Sequence, residues 1–229
     1  MRFSTWEPVY EAILDDFGYD RTADERARDV LASFVTPFDQ STLSFDGQTI
    51  AIAGAGPSLA AEIDIVDSAD AVFAASTAVD VLRSAGVGTD LMTTDLDKNP
   101  ETANELSYEG VPVAVHAHGD NIEAIRQYVP SYDRKYVLGT TQAAPTESVY
   151  NFGGFTDGDR AAFLADHFEA DELIFLGWDF DDPSVSPTKR KKLRWAERLL
   201  YWLEQRRNES FDILDGRRST LDVSVLPVD

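Results

Sequence analysis

From Asp46 onward the chain alternates short apolar runs with longer stretches of helical spacing. The runs are Thr49–Ala53, Ala71–Ala75, Leu91–Thr94, Pro112–His116, Tyr136–Gly139 and Leu173–Gly177. Between and after them the spacing predicts helices over Ser58–Val66, Thr77–Ala85, Asn121–Tyr128, Asp157–Phe168 and Leu193–Arg207. This alternation narrows the fold sharply. Apolar strands separated by helices build βαβ units, so the expectation is a three-layer α/β fold, a mostly parallel sheet with helices on both faces. Two closing strands, Phe211–Leu214 and Leu221–Leu226, are expected around the Asp215-Gly216 turn. Ahead of Asp46, Trp6, Val9, Tyr10, Ile13, Leu14 and Phe17 repeat at helical spacing up to Gly18. A second helix starts near Thr22 or Asp24 and stops before Pro37. Residues 1–45 therefore read as a helical N-terminal cover packed on an α/β domain spanning 46–229, with no linker or repeat between them.

Charge sets the next limit. Forty-one acids against twenty Lys and Arg leave a net charge of −21, and the only lysines are Lys98, Lys135, Lys189, Lys191 and Lys192. That balance argues against nucleic-acid binding, which needs a basic footprint. Acids spread over every surface element suit a cytosol of molar salt, where the Debye length falls to about 3 Å and self-repulsion is screened. The expectation is a halophile's protein. Cysteine is absent, which removes disulfides, thiolate metal sites and a cysteine nucleophile. No apolar run is long enough to span a bilayer, and the first residues carry no apolar signal core, so the expected location is cytoplasmic, with no membrane partner. The composition leaves a homodimer open.

The polar clusters all follow expected strands, and in a parallel sheet those ends share one edge, where open α/β sheets bind ligands. After the first strand, Gly54-Ala-Gly56-Pro57-Ser58 reads as a glycine turn with Pro57 opening a helix. Its free N–H groups could receive phosphate, and a tight structural turn is the equal alternative. Thr93-Thr94-Asp95-Leu-Asp97 places two carboxylates one residue apart, a pair suited to Mg²⁺, which completes its shell with substrate phosphates. His116-Ala-His118-Gly-Asp120-Asn121 resembles a zinc-hydrolase opening but lacks the further histidine. Asp120 fits better as another Mg²⁺ oxygen ligand, with the histidines near phosphate, and His116 reads as a satisfied core histidine before a metal ligand. Thr140, Thr141 and Gln142 offer hydroxyl and amide groups after another strand. Asn151 to Arg160 combines aromatics with a glycine turn, and Gly177-Trp178-Asp179-Phe180 ends the last strand of the alternation. Lys189, Arg190, Lys191, Lys192 and Arg194 form the one basic cluster of a lysine-poor chain.

As an ordered set, Gly54-x-Gly-Pro-Ser-Leu59, Thr94-Asp-Leu-Asp97, His116-x-His-Gly-Asp-Asn121, Gly139-Thr-Thr-Gln142, Gly153-Gly-Phe-Thr-Asp-Gly-Asp-Arg160 and Gly177-Trp-Asp-Phe180 resemble the archaeal-type 6-hydroxymethyl-7,8-dihydropterin pyrophosphokinases. The resemblance spans about Thr49 to Leu203. It implies a fold related to the catalytic domain of thiamin pyrophosphokinase, and Mg²⁺-dependent transfer of diphosphate from ATP to a reduced pterin in folate or methanopterin synthesis. Trp178 stands where that family often carries methionine, and Asp181-Asp182-Pro183 replaces a glycine- and lysine-containing continuation. On this reading Asp95, Asp97 and Asp120 hold metal, and Lys192 stabilises charge on the transferring group. Gly54, Gly56, Ser58, Thr140, Thr141, Gln142 and Lys189 contact ATP, and Asn151, Phe155 and Asp179 contact the pterin. The alternatives are a nucleotide-sugar glycosyltransferase using Asp95-x-Asp97 and a non-catalytic nucleotide-binding regulatory module.

Moving the protein from molar KCl to dilute buffer is expected to lower its melting temperature, and an unchanged value would rule out the halophilic reading.

Overall fold

The computed structural model describes residues 1–228. Its centre is a seven-stranded sheet with strand order β6-β5-β4-β3-β2-β1-β7. The strands are β1 (Thr49–Ala53), β2 (Ala71–Ala75), β3 (Leu91–Thr94), β4 (Val113–Ala117), β5 (Val137–Thr141), β6 (Val149–Tyr150) and β7 (Glu172–Leu176). Every pairing is parallel. The three-layer α/β expectation thus holds, and the sheet is parallel throughout.

Side-chain alternation divides the core in two. Ile50, Ile52, Phe73, Leu91, Ala114 and Leu138 face one layer, built from α1 (Phe3–Phe17), α6 (Asp157–His167) and α7 (Pro187–Arg207). Ala51, Ala53, Val72, Ala74, Met92, Val113, Val115 and Val137 face the other. There lie α2 (Arg21–Ala32), α3 (Ala78–Ser84), α4 (Pro100–Glu109) and α5 (Ile122–Tyr128). The N-terminal pair therefore straddles the sheet: Trp6 stacks on Trp202 of α7 at 6.4 Å, while Ala27 and Leu31 of α2 join the opposite core. Gly18, at φ 68°, ends α1 with its N–H on the Leu14 carbonyl, and the Asp20 side chain caps α2 through the Thr22 N–H. These two signals put only three residues between the helices, so their joining loop stays close to the sheet.

Several boundaries differ from the sequence reading. The segment after β1 is not a helix opened by Pro57. It runs as two 3₁₀ stretches, Leu59–Ala61 and Ile63–Ser68, because the chain must drop straight back to β2. Helix α4 was not anticipated. Only Ala103 and Leu106 give it an apolar inner face, although Pro100 at its start and Gly110 (φ 87°) just past its end mark its limits. The two-residue strand β6 is likewise too short to announce itself. The expected closing strands do not form. Residues Asp212–Leu214 and Arg218–Thr220 are 3₁₀ turns. The Phe211 N–H is taken by Glu204 of α7 (2.8 Å), and Arg218 bonds the same carboxylate (2.7 Å), so side chains claim the backbone groups that a ladder would need. Among the described residues no helix is long and apolar enough to cross a membrane.

At the β1 and β7 ends the two backbones interlock. The Gly54 N–H donates to Leu176 O (2.8 Å) and the Gly56 N–H to Gly177 O (2.9 Å). A Cβ on Gly54 would meet the Gly177 carbonyl oxygen at 2.5 Å, and backbone cannot swing aside as a side chain can. Gly54→Ala is expected to destabilise the chain by about 1–3 kcal/mol, read as a lower urea midpoint with unchanged slope.

Candidate functional site

The carboxyl ends of β1 to β5 open into one cavity of about 520 Å³. Each strand delivers the turn at its own exit: Ala55, then Ser76 and Thr77, then Asp95 and Asp97, then His118 to Asp120, then Gln142. The opposite wall comes from the N-terminal ends of α6 (Phe155, Thr156, Asp157, Arg160) and α7 (Ser186, Lys189, Lys192). The loop between α1 and α2 (Tyr19, Asp20) and the first turn of α2 (Ala23, Asp24) close the remaining side.

The turn after β3 holds the carboxylates. Leu96 adopts a left-handed φ of 70° with its side chain buried. Its N–H donates to Thr94 Oγ1 (2.9 Å), and the Asp97 N–H donates to Asp95 Oδ1 (3.2 Å). Left-handed backbone at a branched, non-glycine residue is costly and persists only where the surroundings impose it. Here it folds Asp97 back over Asp95. His118 Nε2 stands 3.4 Å from Asp95 Oδ2, and the Asn121 amide, anchored on His116 O (2.7 Å), donates to Asp95 O (2.8 Å). Burial works against the Asp95 charge, yet hydrogen bonds from His118 and Asp97 keep its carboxyl well below the usual range. Asp97 is raised, by burial and then by the Asp95 charge beside it. Asp157 is pushed to about 7, again by burial and then by Asp95, despite Arg160 Nη1 at 3.0 Å. Across the cavity Lys192 sits 5.8 Å over the Phe155 ring, and burial with Arg160 nearby lowers its pKa.

Two carboxylates raising one another's cost, faced by Lys189, Lys192 and Arg160, make a charge-divided cleft. The donor set, hard oxygens only, fits a small divalent cation that keeps water or phosphate in its remaining positions. Among the described residues no three His, Asp or Glu side chains gather as a ready cage. Asp120 does not join the pair: it is exposed on the rim, its backbone N–H turned to His118 Nδ1 (3.4 Å).

The chain matches the family described as MptE-like 6-hydroxymethylpterin diphosphokinase over residues 25–184. It is similar to two proteins named 6-hydroxymethyl-7,8-dihydropterin pyrophosphokinase, from Methanothermobacter thermautotrophicus and Pyrococcus furiosus, at 37% identity each. The first alignment covers 90% of this chain and 96% of the relative, the second 98% and 100%. A third so named, from Methanocaldococcus jannaschii, is 33% identical over 90% of this chain and 97% of its own length. The chain belongs to this family.

Of the residues singled out in the sequence, Asp95, Asp97, Asp120, Gln142, Phe155, Lys189 and Lys192 line the cavity. Others stand behind it. The Gly54–Ser58 loop was expected to offer N–H groups to phosphate. Its Gly54 and Gly56 N–H groups are spent on β7 and its successor, and the Ser58 N–H donates to Asp179 Oδ2 (2.9 Å). Only the Ala55 N–H in this loop has no acceptor among the described residues. Asp179 is thereby a brace for the loop and not a wall of the cavity. Asn151 is equally occupied, its amide donating to Gln142 O and Ala143 O (2.9 Å each). Thr140 and Thr141 are buried below the floor, where Thr140 Oγ1 bonds Val115 O (3.1 Å) and pairs with His116 Nδ1 (3.1 Å). His116 is buried as expected, but its Nε2 has no partner among the described residues, and burial followed by the Arg160 charge holds its pKa far below the usual value.

Arg160, Asp157 and Asp24 are cavity residues to which the sequence reading gave no role, whereas His118, expected near phosphate, does line the cavity. The first two lie inside the Gly153–Arg160 motif, where helix-cap chemistry hides them: Thr156 and Asp159 form a capping box that turns Asp157 toward β3, its carbonyl accepting from Thr93 Oγ1 (2.8 Å).

The Asp157 shift has a sign that can be checked. Its ordinary carboxyl pKa is 3.8 and its folded value about 7, so the folded chain holds an extra proton in between, and stability from this group is lost as pH rises through that window. Asp157→Asn is expected to gain stability relative to the parent from about pH 4 to pH 7, levelling off above. Parallel melting curves at those pH values provide the check.

Proposed function

We propose that this chain transfers the β,γ-diphosphate of ATP to the hydroxymethyl group of 6-hydroxymethyl-7,8-dihydropterin, releasing AMP. The observation that carries the reading is the charge-divided cleft, with Asp95 and Asp97 on one wall and Lys189, Lys192 and Arg160 on the other. Phosphoryl-type transfer has a charge-rich transition state and asks a protein mainly to position groups and neutralise charge. A covalent nucleophile is not required, and the cleft is built from carboxylates and cations.

Asp95 and Asp97 would hold Mg²⁺, which would neutralise phosphate oxygens and polarise the β-phosphorus. His118 and Asn121 hold Asp95 from behind and fix where its free edge points. Lys192 and Arg160, partly desolvated against Phe155 and the start of α6, meet the negative charge that develops on the transferred group. A desolvated cation interacts more strongly with such charge than one in water. The Ala55 N–H is a further donor, on the strand-exit side of the cleft.

Two results test the reading. Incubation with ATP, Mg²⁺ and the dihydropterin is expected to yield AMP and pterin diphosphate, and ADP in place of AMP would refute attack at the β-phosphorus. Asp97→Asn is expected to reduce turnover at least about a hundredfold with a melting temperature no lower than the parent's. Retained turnover in that variant removes Asp97 from the reacting centre.

A further inference from the structure

The N-terminal helices do more than cover the core. Asp24 of α2 is 4% exposed and lines the cavity, and it bears three hydrogen bonds from neutral donors. Tyr10 Oη donates to Oδ2 at 2.8 Å, Gln142 Nε2 to Oδ2 at 2.7 Å and the Gly119 N–H to Oδ1 at 2.8 Å. Among the described residues no cation pairs with it, for Arg21 of the same helix is taken by Glu7, Glu11 and Glu25. A buried carboxylate without a counter-ion is expensive, and its remaining lone pair favours an incoming donor.

Gln142 is fixed by the same arrangement. A carboxylate only accepts, so the amide nitrogen must face Asp24 and Oε1 must point the other way. No donor among the described residues reaches Oε1, nor is that oxygen sealed inside the protein, so it opens on the cavity that Gln142 lines. The backbone of Gln142 is pinned as well: its carbonyl accepts from Trp6 Nε1 (2.9 Å) and from Asn151 (2.9 Å). Side by side, Asp24 and Gln142 present two acceptors and no free donor. Next to them Tyr19 and Phe155 line the cavity, each packed on Phe17 with centroids 5.1 and 5.2 Å away.

Resting on the diphosphokinase reading above, we propose that Asp24 and Gln142 seat the aminopyrimidinone edge of the pterin, with Tyr19 and Phe155 against its ring. That edge offers two adjacent donors, the 2-amino group and N3–H, which match two acceptors. Adenine sets an amino donor beside a ring-nitrogen acceptor, so one of its edge atoms would face a carboxylate or carbonyl oxygen unpaired, a mismatch that polar sites reject strongly. The placement also orients the reaction. Gly119, bonded to Asp24, adjoins His118, bonded to Asp95, so the ring edge and the carboxylate pair lie at two ends of one short chain of contacts. A pterin held by that edge directs its opposite end, which bears the hydroxymethyl group, toward Asp95 and Asp97. Tyr19 and Asp24 precede residue 25, where the match to the family model begins, while Gln142 and Phe155 lie inside it.

The test uses the full chain and the variants Asp24→Asn, Gln142→Leu and Tyr19→Ala, each checked for its melting transition. AMP release is measured with each substrate varied in turn, and pterin binding is measured separately by its fluorescence without ATP. The expected result is a KM for the pterin raised about tenfold or more, with the KM for ATP changed less than about twofold. The parent's preference for the pterin over its analogue lacking the 2-amino group should shrink in Gln142→Leu. A rise in the KM for ATP instead, or an unchanged pterin KM in folded variants, overturns the assignment. Should Asp24→Asn not fold, the other two variants decide. A parent that binds the pterin and loses it in the variants, but releases no AMP, supports the seat while refuting the reaction. A parent that does not bind pterin refutes both.

Discussion

Parallel pairing obliges every strand of this sheet to leave at the same edge, and the architecture follows from that obligation. Because β1 to β5 are laid down in sequence order, their exits stand in a row, and each delivers a polar turn to a shared floor. The direction of winding reverses only when the chain passes from β6 through α6 to β7 beside β1, which brings α6 and α7 to the other face. Their N-terminal ends, carrying Arg160, Lys189 and Lys192, thus arrive opposite the carboxylates. Ligand crevices in doubly wound sheets form where the order turns back, and here the turn-back supplies the cationic wall.

That wall answers a tension in the site. Asp95, Asp97 and Asp157 raise one another's electrostatic cost, visible in Asp97 held above its ordinary value and Asp157 near neutrality. The left-handed Leu96 and the His118 and Asn121 contacts keep the pair together against this repulsion. Stability surrendered in one place to keep like charges close is characteristic of functional sites. Elsewhere the acids are spread over the surface and bridged by arginine, as in Arg83 with Glu105 and Glu109.

The strands were legible because local composition and burial agree: Ile50-Ala-Ile-Ala is apolar on both sides, and both sides are covered. Asp95 and Asp97 were legible for a similar reason, since a strand end and a carboxylate pair coincide within a few residues. The glycine loop shows where such reading stops. Gly54 and Gly56 are small because Gly177 and Asp179 press on them, a neighbour invisible from the loop's own sequence. The same distance hides Asp24, whose partner Gln142 lies 118 residues away. Local patterns reveal elements and the turns that end them. Which turn braces and which receives a ligand is settled by contacts between segments far apart in the chain.

The first turns of α7 touch two different things. Lys192 leans over Phe155 inside the cavity, while Lys191 lies 4.5 Å over the Phe17 ring and reaches the Asp16 carboxylate at 2.8 Å. Trp195, one turn on, donates to Asp16 at 2.7 Å. A 21-residue helix is stiff, so the cationic wall and the aromatic loop of the N-terminal pair are fastened to one rod. Neither can retreat alone. The spacing between the Lys192 side of the cleft and the Phe17 side is thereby set by the length and stiffness of a single helix.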